Sequence, residues 1–321
     1  MLRRKFLQNL QVRKSAGIRD RNLILVGGID PITSSRSKFE RSVLLLDLDS
    51  LEIKEIVTEV KSKPFLLAAS SSSRIVAGIP FNLSYQQSGV FVMHISGLER
   101  EYVIDDLGVV FNITANQFDN SCFVLSGLQG QTWLSEIPDS GIHKRRTLMD
   151  KNVVEVQQVA SNKRLLRLED DQGVQYNLCE NNGEVTDWKY RTANRIGLVI
   201  GNTSLATFDS EHDSAATEVV DLQSGRVLRT GPIGSAFGVS PVWMGGNLIA
   251  YVNSNFDVVI LNYEDFSSRV ISLARTEKTA WVELCMDKEA NTLIAVCTGD
   301  HMAPNTEVIV FGSGNWCSYS Q

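Results

Sequence analysis

The sequence of 321 residues predicts an all-β fold, a seven-bladed β-propeller with four antiparallel strands in each blade. Two observations predict it. A unit made of a strand, a tight polar turn and a second strand recurs along the whole chain, and successive copies are 41 to 48 residues apart. Four short strands and their turns need about 40 to 50 residues, so each copy fits one blade. The sequence shows no alternation of strands and long helices.

The clearest copy of the unit covers residues 43–53. A strand-like apolar run ends at Leu48, the chain turns at Asp49 and Ser50, and a second short strand follows. Apolar runs of this length that end in small polar residues are typical of strands joined by hairpin turns. The residues that close the first strand of each copy are Leu48, Ile95, Ile137, Leu178, Leu222, Tyr263 and Phe311.

Each interval between copies also holds two earlier apolar runs, for example residues 65–69 and 74–79. We therefore assign four strands to each unit and name them A to D from the centre outward. Ala68 and Ala69 are small, which suits an innermost strand where neighbouring blades crowd together. One blade cannot bury both of its faces, and stacking blades in a ring buries face against face and protects the edges.

We expect one domain over residues 1–321. Two β-sandwiches are the main alternative, but the spacing is regular and no linker interrupts it. Residues 1–21 form a basic N-terminal segment that docks on the propeller or supplies its first strand. We expect ring closure to join the N-terminal strand to the last blade, which is built from Trp281 onward.

Residues 219–226, Val-Val-Asp-Leu-Gln-Ser-Gly-Arg, resemble the strand–turn–strand phrase of WD40-like, YVTN-type and quinoprotein-like propellers. Residues 45–50 are a second and weaker copy. The chain departs from true WD40 repeats, because no unit has the Gly-His start or the Trp-Asp end. The resemblance therefore implies the propeller superfold and no specific family, and a superfold does not imply a function.

Composition restricts the function classes. No apolar run is long enough to span a membrane as a helix. The five cysteines are odd in number and widely spaced, so we interpret them as small buried residues of a reducing compartment. The net charge is −6, although residues 1–21 carry seven bases and one acid. An acidic body argues against nucleic-acid binding, which needs a basic surface.

The basic start of the chain bears on localisation. Residues 3–7, Arg-Arg-Lys-Phe-Leu, resemble the core of a twin-arginine export signal, but residues 8–14 are polar where an apolar segment is required. The Arg-rich, acid-poor composition also resembles a mitochondrial presequence. We interpret the segment as part of a cytoplasmic protein, with mitochondrial import and export as alternatives.

The candidate partner-binding residues lie in the loops between strands B and C. Long loops on a rigid scaffold often carry binding residues. The first such loop, residues 28–41, carries three bases, and the second, residues 80–88, carries two aromatic residues. Basic groups beside aromatic groups offer charge steering and an apolar anchor. The predicted site for a protein partner consists of Arg36, Lys38, Arg41, Phe81 and Tyr85.

Two other B–C loops combine carboxylates with an imidazole. Oxygen and imidazole ligands suit a divalent ion, but short acidic runs are usually solvated, so we expect no metal and no cofactor. The weak metal candidates are Asp209, Glu211, His212, Asp300 and His301.

No recognised catalytic motif occurs in the sequence. The predicted function is therefore a noncatalytic protein-interaction scaffold that docks a partner on the loops around the channel mouth. The alternative is a propeller enzyme, lactonase-like or lyase-like and metal-assisted, that uses the same acidic loops.

Overall fold

The computed structural model of the chain describes residues 2–7, 10–19, 22–29, 40–57, 67–69, 74–80, 87–94, 100–104, 107–116, 121–138, 145–150, 152–181, 184–193, 196–208, 216–231, 241–273, 279–287, 291–299 and 305–312. Every regular element within these ranges is a β-strand, which confirms the all-β prediction. No helix in them is long and apolar enough to cross a membrane.

The strands follow one another in short antiparallel meanders. In chain order they are β1 (Leu2–Leu7), β2 (Leu10–Arg19), β3 (Asn22–Ile29), β4 (Glu40–Asp47), β5 (Ile53–Val57), β6 (Leu67–Ala69), β7 (Arg74–Pro80), β8 (Gln87–His94), β9 (Arg100–Ile104), β10 (Val109–Ala115), β11 (Cys122–Leu128), β12 (Gln131–Ile137), β13 (Arg145–Met149), β14 (Val153–Ala160), β15 (Lys163–Asp170), β16 (Gly173–Glu180), β17 (Val185–Thr192), β18 (Ile196–Ile200), β19 (Ser204–Phe208), β20 (Thr217–Asp221), β21 (Val227–Gly231), β22 (Val242–Gly245), β23 (Leu248–Val252), β24 (Val258–Asn262), β25 (Ser268–Ile271), β26 (Thr279–Asp287), β27 (Thr292–Gly299) and β28 (Thr306–Phe311).

The described strands form a propeller arrangement, but the predicted number of blades is wrong. Five blades have four strands each: β2–β5, β14–β17, β18–β21, β22–β25, and β26–β28 together with β1. Strands β6–β13 form one continuous sheet of eight strands instead of two further blades. The join is a single backbone pairing between β8 and β10, of Gln87 with Val110, next to a bulge in β10. The sequence repeat counts strands along the chain and cannot show which strands of different units pair.

The first strand of each unit lies innermost. Strand β2 contacts β26 and β6, β10 contacts β6 and β14, and β22 contacts β18 and β26. These strands therefore line the central channel. The other strands extend outward from them in the order in which they occur along the chain.

Strand β1 closes the ring. It pairs antiparallel with β28, from Leu2 opposite Phe311 to Leu7 opposite Thr306. The expectation that the N-terminal strand joins the last blade is confirmed. Arg4 forms an exposed ion pair of 3.0 Å with Glu307, and such pairs contribute at most about 1 kcal/mol. The main stabilisation of closure is thus the backbone pairing and the burial of Leu7.

The core consists of apolar layers between facing sheets. One layer lies where the closing blade meets the β2–β5 blade, and another lies between the β14–β17 and β18–β21 blades. Alternating residues along each strand supply the two faces, so each middle strand contributes to two layers. The first layer comprises Leu7, Leu23, Leu25, Leu44, Leu46, Leu48, Cys285, Ile294, Val296, Val308 and Val310.

Three outer turns share one geometry. The N–H of the fifth residue donates to the carbonyl of the first, as Leu51 does to Asp47 at 2.8 Å. That fifth residue has a positive φ: 58° at Leu51, 71° at Gly225 and 58° at Phe266. In the first turn the Asp47 carboxylate also accepts the N–H groups of Asp49 and Ser50. The turns predicted at residues 49–50 and 223–225 are confirmed.

Four of the five cysteines lie in the described part of the chain: Cys122, Cys179, Cys285 and Cys297 are buried, and none of these four forms a disulfide. Burial raises the pKa of Cys179 to about 11, although the Arg164 charge nearby lowers it. The interpretation of the cysteines as small buried residues is confirmed for these four. Cys317 lies outside the described residues.

Candidate partner-binding site

Most of the predicted site residues lie outside the described residues. Arg36 and Lys38 fall between β3 and β4, and Phe81 and Tyr85 fall between β7 and β8. Arg41 lies in β4, where its backbone pairs with Gly28. The weak metal candidates Asp209, Glu211, His212, Asp300 and His301 also fall outside, and the described ranges contain no group of three potential ligands.

The strand order nevertheless determines on which face each described strand begins and ends. Because successive strands are antiparallel, the B strands end and the A and C strands begin on one face, here called the B–C face. The A–B and C–D turns lie on the opposite face, here called the turn face. In the sequence, residues 30–39 connect β3 to β4 and residues 81–86 connect β7 to β8; both segments lie outside the described residues, and the innermost strands of their units, β2 and β6, contact each other.

The exposed large apolar side chains of the described residues lie only on innermost or outermost strands. The outermost strands carry Leu2, Phe6, Ile53, Leu148, Val185, Val227, Leu228 and Val270. The innermost strands carry Val109 (40% exposed), Phe111 (39%) and Trp281 (41%). All three lie among the first three residues of their strands, which begin at the B–C face. We call these three residues the apolar channel mouth; Val109 and Phe111 lie on β10, and Trp281 lies on β26, three strands away around the ring.

Strand β14, the innermost strand of the next blade, carries a charged side chain on the face that packs on the β18–β21 blade. Glu155 is its third residue and accepts from Arg167 Nη1 at 3.1 Å and from Gln157 Nε2 at 2.7 Å. Arg167 also donates through Nη2 to Glu169. One guanidinium thus lies between two carboxylates. Burial lowers the pKa of Arg167, but the two carboxylates outweigh this effect and the net shift is upward. We call Glu155, Arg167 and Glu169 the carboxylate–arginine triad; its net charge is negative.

The triad begins a polar row that crosses the whole blade. Glu155 pairs with Arg167, Arg167 with Tyr176, and Tyr176 with Tyr190. Residues directly opposite each other share one face of a sheet, and this face packs on the β18–β21 blade. The row continues into that blade, because the Tyr190 hydroxyl donates to the Glu218 carboxylate.

At the end of the row, the Glu218 carboxylate accepts hydrogen bonds from uncharged hydroxyl groups. The Thr192 hydroxyl donates to the same oxygen as Tyr190, at 3.2 Å. Burial and the Glu218 carboxylate raise the pKa of Tyr190 to about 12. Within the described part of the molecule, no cation forms an ion pair with Glu218, so its negative charge adds to that of the triad.

Tyr176 occupies the middle of the row and is 1% exposed. Its hydroxyl has no hydrogen-bond partner among the described residues, and Arg167 Nε lacks one as well. The ring lies against Gly197 of β18, where an added Cβ would be 2.4 Å from the hydroxyl oxygen. Gly197 therefore provides the space that Tyr176 fills.

An exposed ion pair borders the row at the B–C face. Arg191 binds Asp170 through two bonds, Nη1 to Oδ1 at 3.0 Å and Nη2 to Oδ2 at 2.8 Å. These hydrogen bonds, with one from the Gln172 backbone, lower the pKa of Asp170. With Asp171, this edge of two blades carries more carboxylates than guanidinium groups.

Sequence reasoning did not identify the channel mouth or the triad. Phe111 and Trp281 occur in strand-like runs, where aromatic residues are usually buried, and only the fold shows that their strands are innermost. The sequence did contain a signal for the triad. Along β15 the charged residues Arg167 and Glu169 alternate with apolar residues, so charge occupies a face that is apolar in an ordinary blade.

Comparison with known proteins supports the fold. No protein-family model and no curated protein sequence matches the chain. Among solved structures, the chain is similar to the WD40 β-propeller domain of Doa1, with a TM-score of 0.65 and 15% sequence identity. The match covers 97% of this chain and 97% of that chain. At this identity the likeness concerns the fold, and the chain has a WD40-like β-propeller fold.

Proposed function

We propose that the protein is a noncatalytic interaction scaffold that docks a protein partner on its B–C face. The observation that carries this proposal is the contact between β2 and β6, the innermost strands of two neighbouring units. The linker with Arg36 and Lys38 and the linker with Phe81 and Tyr85 join middle strands of units whose innermost strands contact each other. A rigid frame of strands that presents neighbouring loops on one face suits protein recognition.

The residue types define the partner. Arginine and aromatic side chains are common at interface hot spots, and charge complementarity speeds the encounter. The chain has a net charge of −6, so the bases of the first linker are a local exception to an acidic surface. The partner surface should be acidic and should contain an exposed apolar pocket for Phe81 or Tyr85.

The experiment is affinity capture of a partner from native cells, followed by binding measurements with purified variants. Charge reversal of Arg36 and Lys38 to Glu should weaken binding, with little change in melting temperature, because exposed loop charges add little to stability. The matched control reverses Lys163 and Arg226, two exposed bases at the turn face. Tyr85→Ala should speed dissociation more than it slows association, since anchor residues act mainly on the off-rate.

The proposal fails if the loop variants bind the captured partner as the unaltered protein does, or if the control weakens binding equally. The basic segment 1–21 is then the next candidate for the partner site. The enzyme alternative depends on Asp209, Glu211, His212, Asp300 and His301, all outside the described residues, and no further observation favours it.

A further inference from the structure

We propose that the three outer turns with a shared geometry are rim latches, each of which locks its blade onto the outermost strand of the blade before it. The turns are residues 47–51, 221–225 and 262–266. This inference concerns how the ring stays closed at its rim, and it is independent of the partner proposed for the B–C face.

The outermost strands need such a device because they bury little of their own surface. Among those whose burial is described in full, β1, β17 and β21 each bury one residue, namely Leu7, Tyr190 and Gly231, and β25 buries none. Every residue of the middle strand β27 is buried. Segments with few buried contacts open at a lower free energy than the core does. The apolar layers between the sheets therefore hold the centre of the ring more firmly than its rim.

Each latch contains a hydrogen bond from the outermost strand of one blade to the outer turn of the next blade. A side-chain N–H on β1, β17 or β21 donates to a backbone carbonyl of the turn, so the acceptor depends on the conformation of the turn. All three bonds run in the same direction around the ring. The donor and acceptor pairs are Arg3 and Asp49 at 3.0 Å, Trp188 and Asp221 at 3.4 Å, and Arg229 and Glu264.

The fifth residue of each turn adds a packing contact to the latch. Leu51 and Phe266 pack on the apolar layers between their own blade and the preceding one. The Phe266 ring lies against Gly231 of β21, where an added Cβ would overlap the ring. In the turn at 221–225 the sizes are reversed, because a Cβ on Gly225 would lie 3.2 Å from Trp188 Nε1. Both latches therefore pair one large side chain with one glycine.

The two parts of a latch hold the same strand. Arg229 and Gly231 both belong to β21, and both contact the turn at 262–266. When β21 moves away from this turn, the hydrogen bond and the packing contact break together, while the apolar layers nearer the channel stay closed. Loosening one latch should therefore open one outermost strand and leave distant blades unchanged.

The test is native-state hydrogen exchange of the full chain, followed by mass spectrometry. In Gly231→Ala the added methyl overlaps the Phe266 ring, so the amides of β21 should exchange about tenfold faster than in the unaltered protein. The matched control is Gly127→Ala, another strand glycine, whose added Cβ would have no atom within 4 Å. It should change exchange less than about twofold. The amides of β28, two blades from β21, should keep their rates in both variants.

Two further variants test the contacts one at a time. In a Phe266→Ala background the ring is gone, so adding Gly231→Ala should change the exchange of β21 less than about twofold. Trp188→Phe keeps an aromatic ring but removes the indole N–H, so the amides of β17 should exchange about threefold faster. The control is Trp243→Phe, because Trp243 Nε1 donates to the Gly246 carbonyl of its own blade. This control should leave the exchange of β17 unchanged.

Faster exchange that is confined to β21 in Gly231→Ala, and that vanishes in the Phe266→Ala background, supports the latch. The inference is overturned if β21 exchanges as in the unaltered protein, if β28 accelerates as much as β21, or if the effect of Gly231→Ala persists without the Phe266 ring. If Gly231→Ala does not fold, Trp188→Phe decides the question, and unchanged exchange of β17 in that variant overturns the inference.

Discussion

Gly197 and Tyr176 give the sharpest test of the packing between two blades. An alanine Cβ at position 197 would lie 2.4 Å from the Tyr176 hydroxyl oxygen, 2.7 Å from Cζ and 2.8 Å from Cε1. Tyr176 is 1% exposed, so the ring cannot swing into solvent. Overpacking of this kind costs about 1 to 3 kcal/mol, and we expect Gly197→Ala to lose about 2 kcal/mol of unfolding free energy.

The same contact predicts the behaviour of Tyr176→Phe. The hydroxyl is buried without a described partner, and such a group costs about 1 to 3 kcal/mol. Tyr176→Phe should therefore unfold at the same temperature as the unaltered protein or higher. In the double variant, Gly197→Ala with Tyr176→Phe, only the clash between the alanine Cβ and the hydroxyl oxygen disappears. Because Cζ and Cε1 remain within 2.8 Å, phenylalanine should recover less than half of the lost stability.

The assay is urea and thermal unfolding of the four proteins of this cycle. With about 2.1 cal/mol/K of unfolding entropy per residue, 1 kcal/mol corresponds to a shift of about 1.5 °C for a chain of this length. Gly197→Ala should melt about 3 °C lower. A Gly197→Ala protein that melts with the unaltered protein would refute the packing, and a strongly destabilised Tyr176→Phe would show that the hydroxyl has a partner.

Three further outcomes are expected. Arg164→Met should lose about 2 kcal/mol in urea unfolding, because the buried guanidinium pairs with Glu136 at 2.8 Å and lies 4.6 Å from the centre of the Phe123 ring; an unchanged midpoint would contradict this. Tyr190 has a pKa of about 12 in the folded protein, above the ordinary value of 10, so its stabilising contribution is complete below pH 10 and is lost as the pH rises through 12. Between pH 10 and pH 12, the urea midpoint of Tyr190→Phe should fall less steeply than that of the unaltered protein. Equal slopes for the two proteins would contradict the raised pKa of Tyr190. In a Cys317→Ser background, the native protein should react slowly with a thiol reagent because Cys179 and the other described thiols are buried, whereas rapid native labelling would contradict their burial.

Most of the strands could be predicted from local patterns in the sequence. The strand predicted to close at Ile137 is β12, which ends there, and the turn at Asp49 and Ser50 lies where expected, because apolar runs and small polar turns are local signals. The number of blades was wrong because the pairing of Gln87 with Val110 joins strands of different units. Such a pairing depends on how two units approach in space, which the spacing of repeats does not record.

The candidate site also combines residues that the sequence could identify with residues that only the structure shows. Arg36, Lys38, Phe81 and Tyr85 were chosen because loop length is visible in a sequence, and they lie outside the described residues. The row from Glu155 to Tyr190 depends on the register of four strands and on bulges in β14 and β16. A shift of one residue in any strand would move its side chain to the other face. Register is set by tertiary packing, so this row became visible only in the folded structure.

The pairing of β1 with β28 has a consequence for synthesis. Arg4 and Glu307 are separated by 303 residues, and a ribosome adds roughly 5 to 20 residues per second. Strand β1 must therefore wait between about fifteen seconds and a minute before its partner strand exists. During that time Leu2, Phe6 and Leu7 have no sheet to join, and a chain that stops before Thr306 never provides one. Nascent or truncated chains should thus depend on chaperones at β1, and the later synthesis of β28 should decide whether β1 folds.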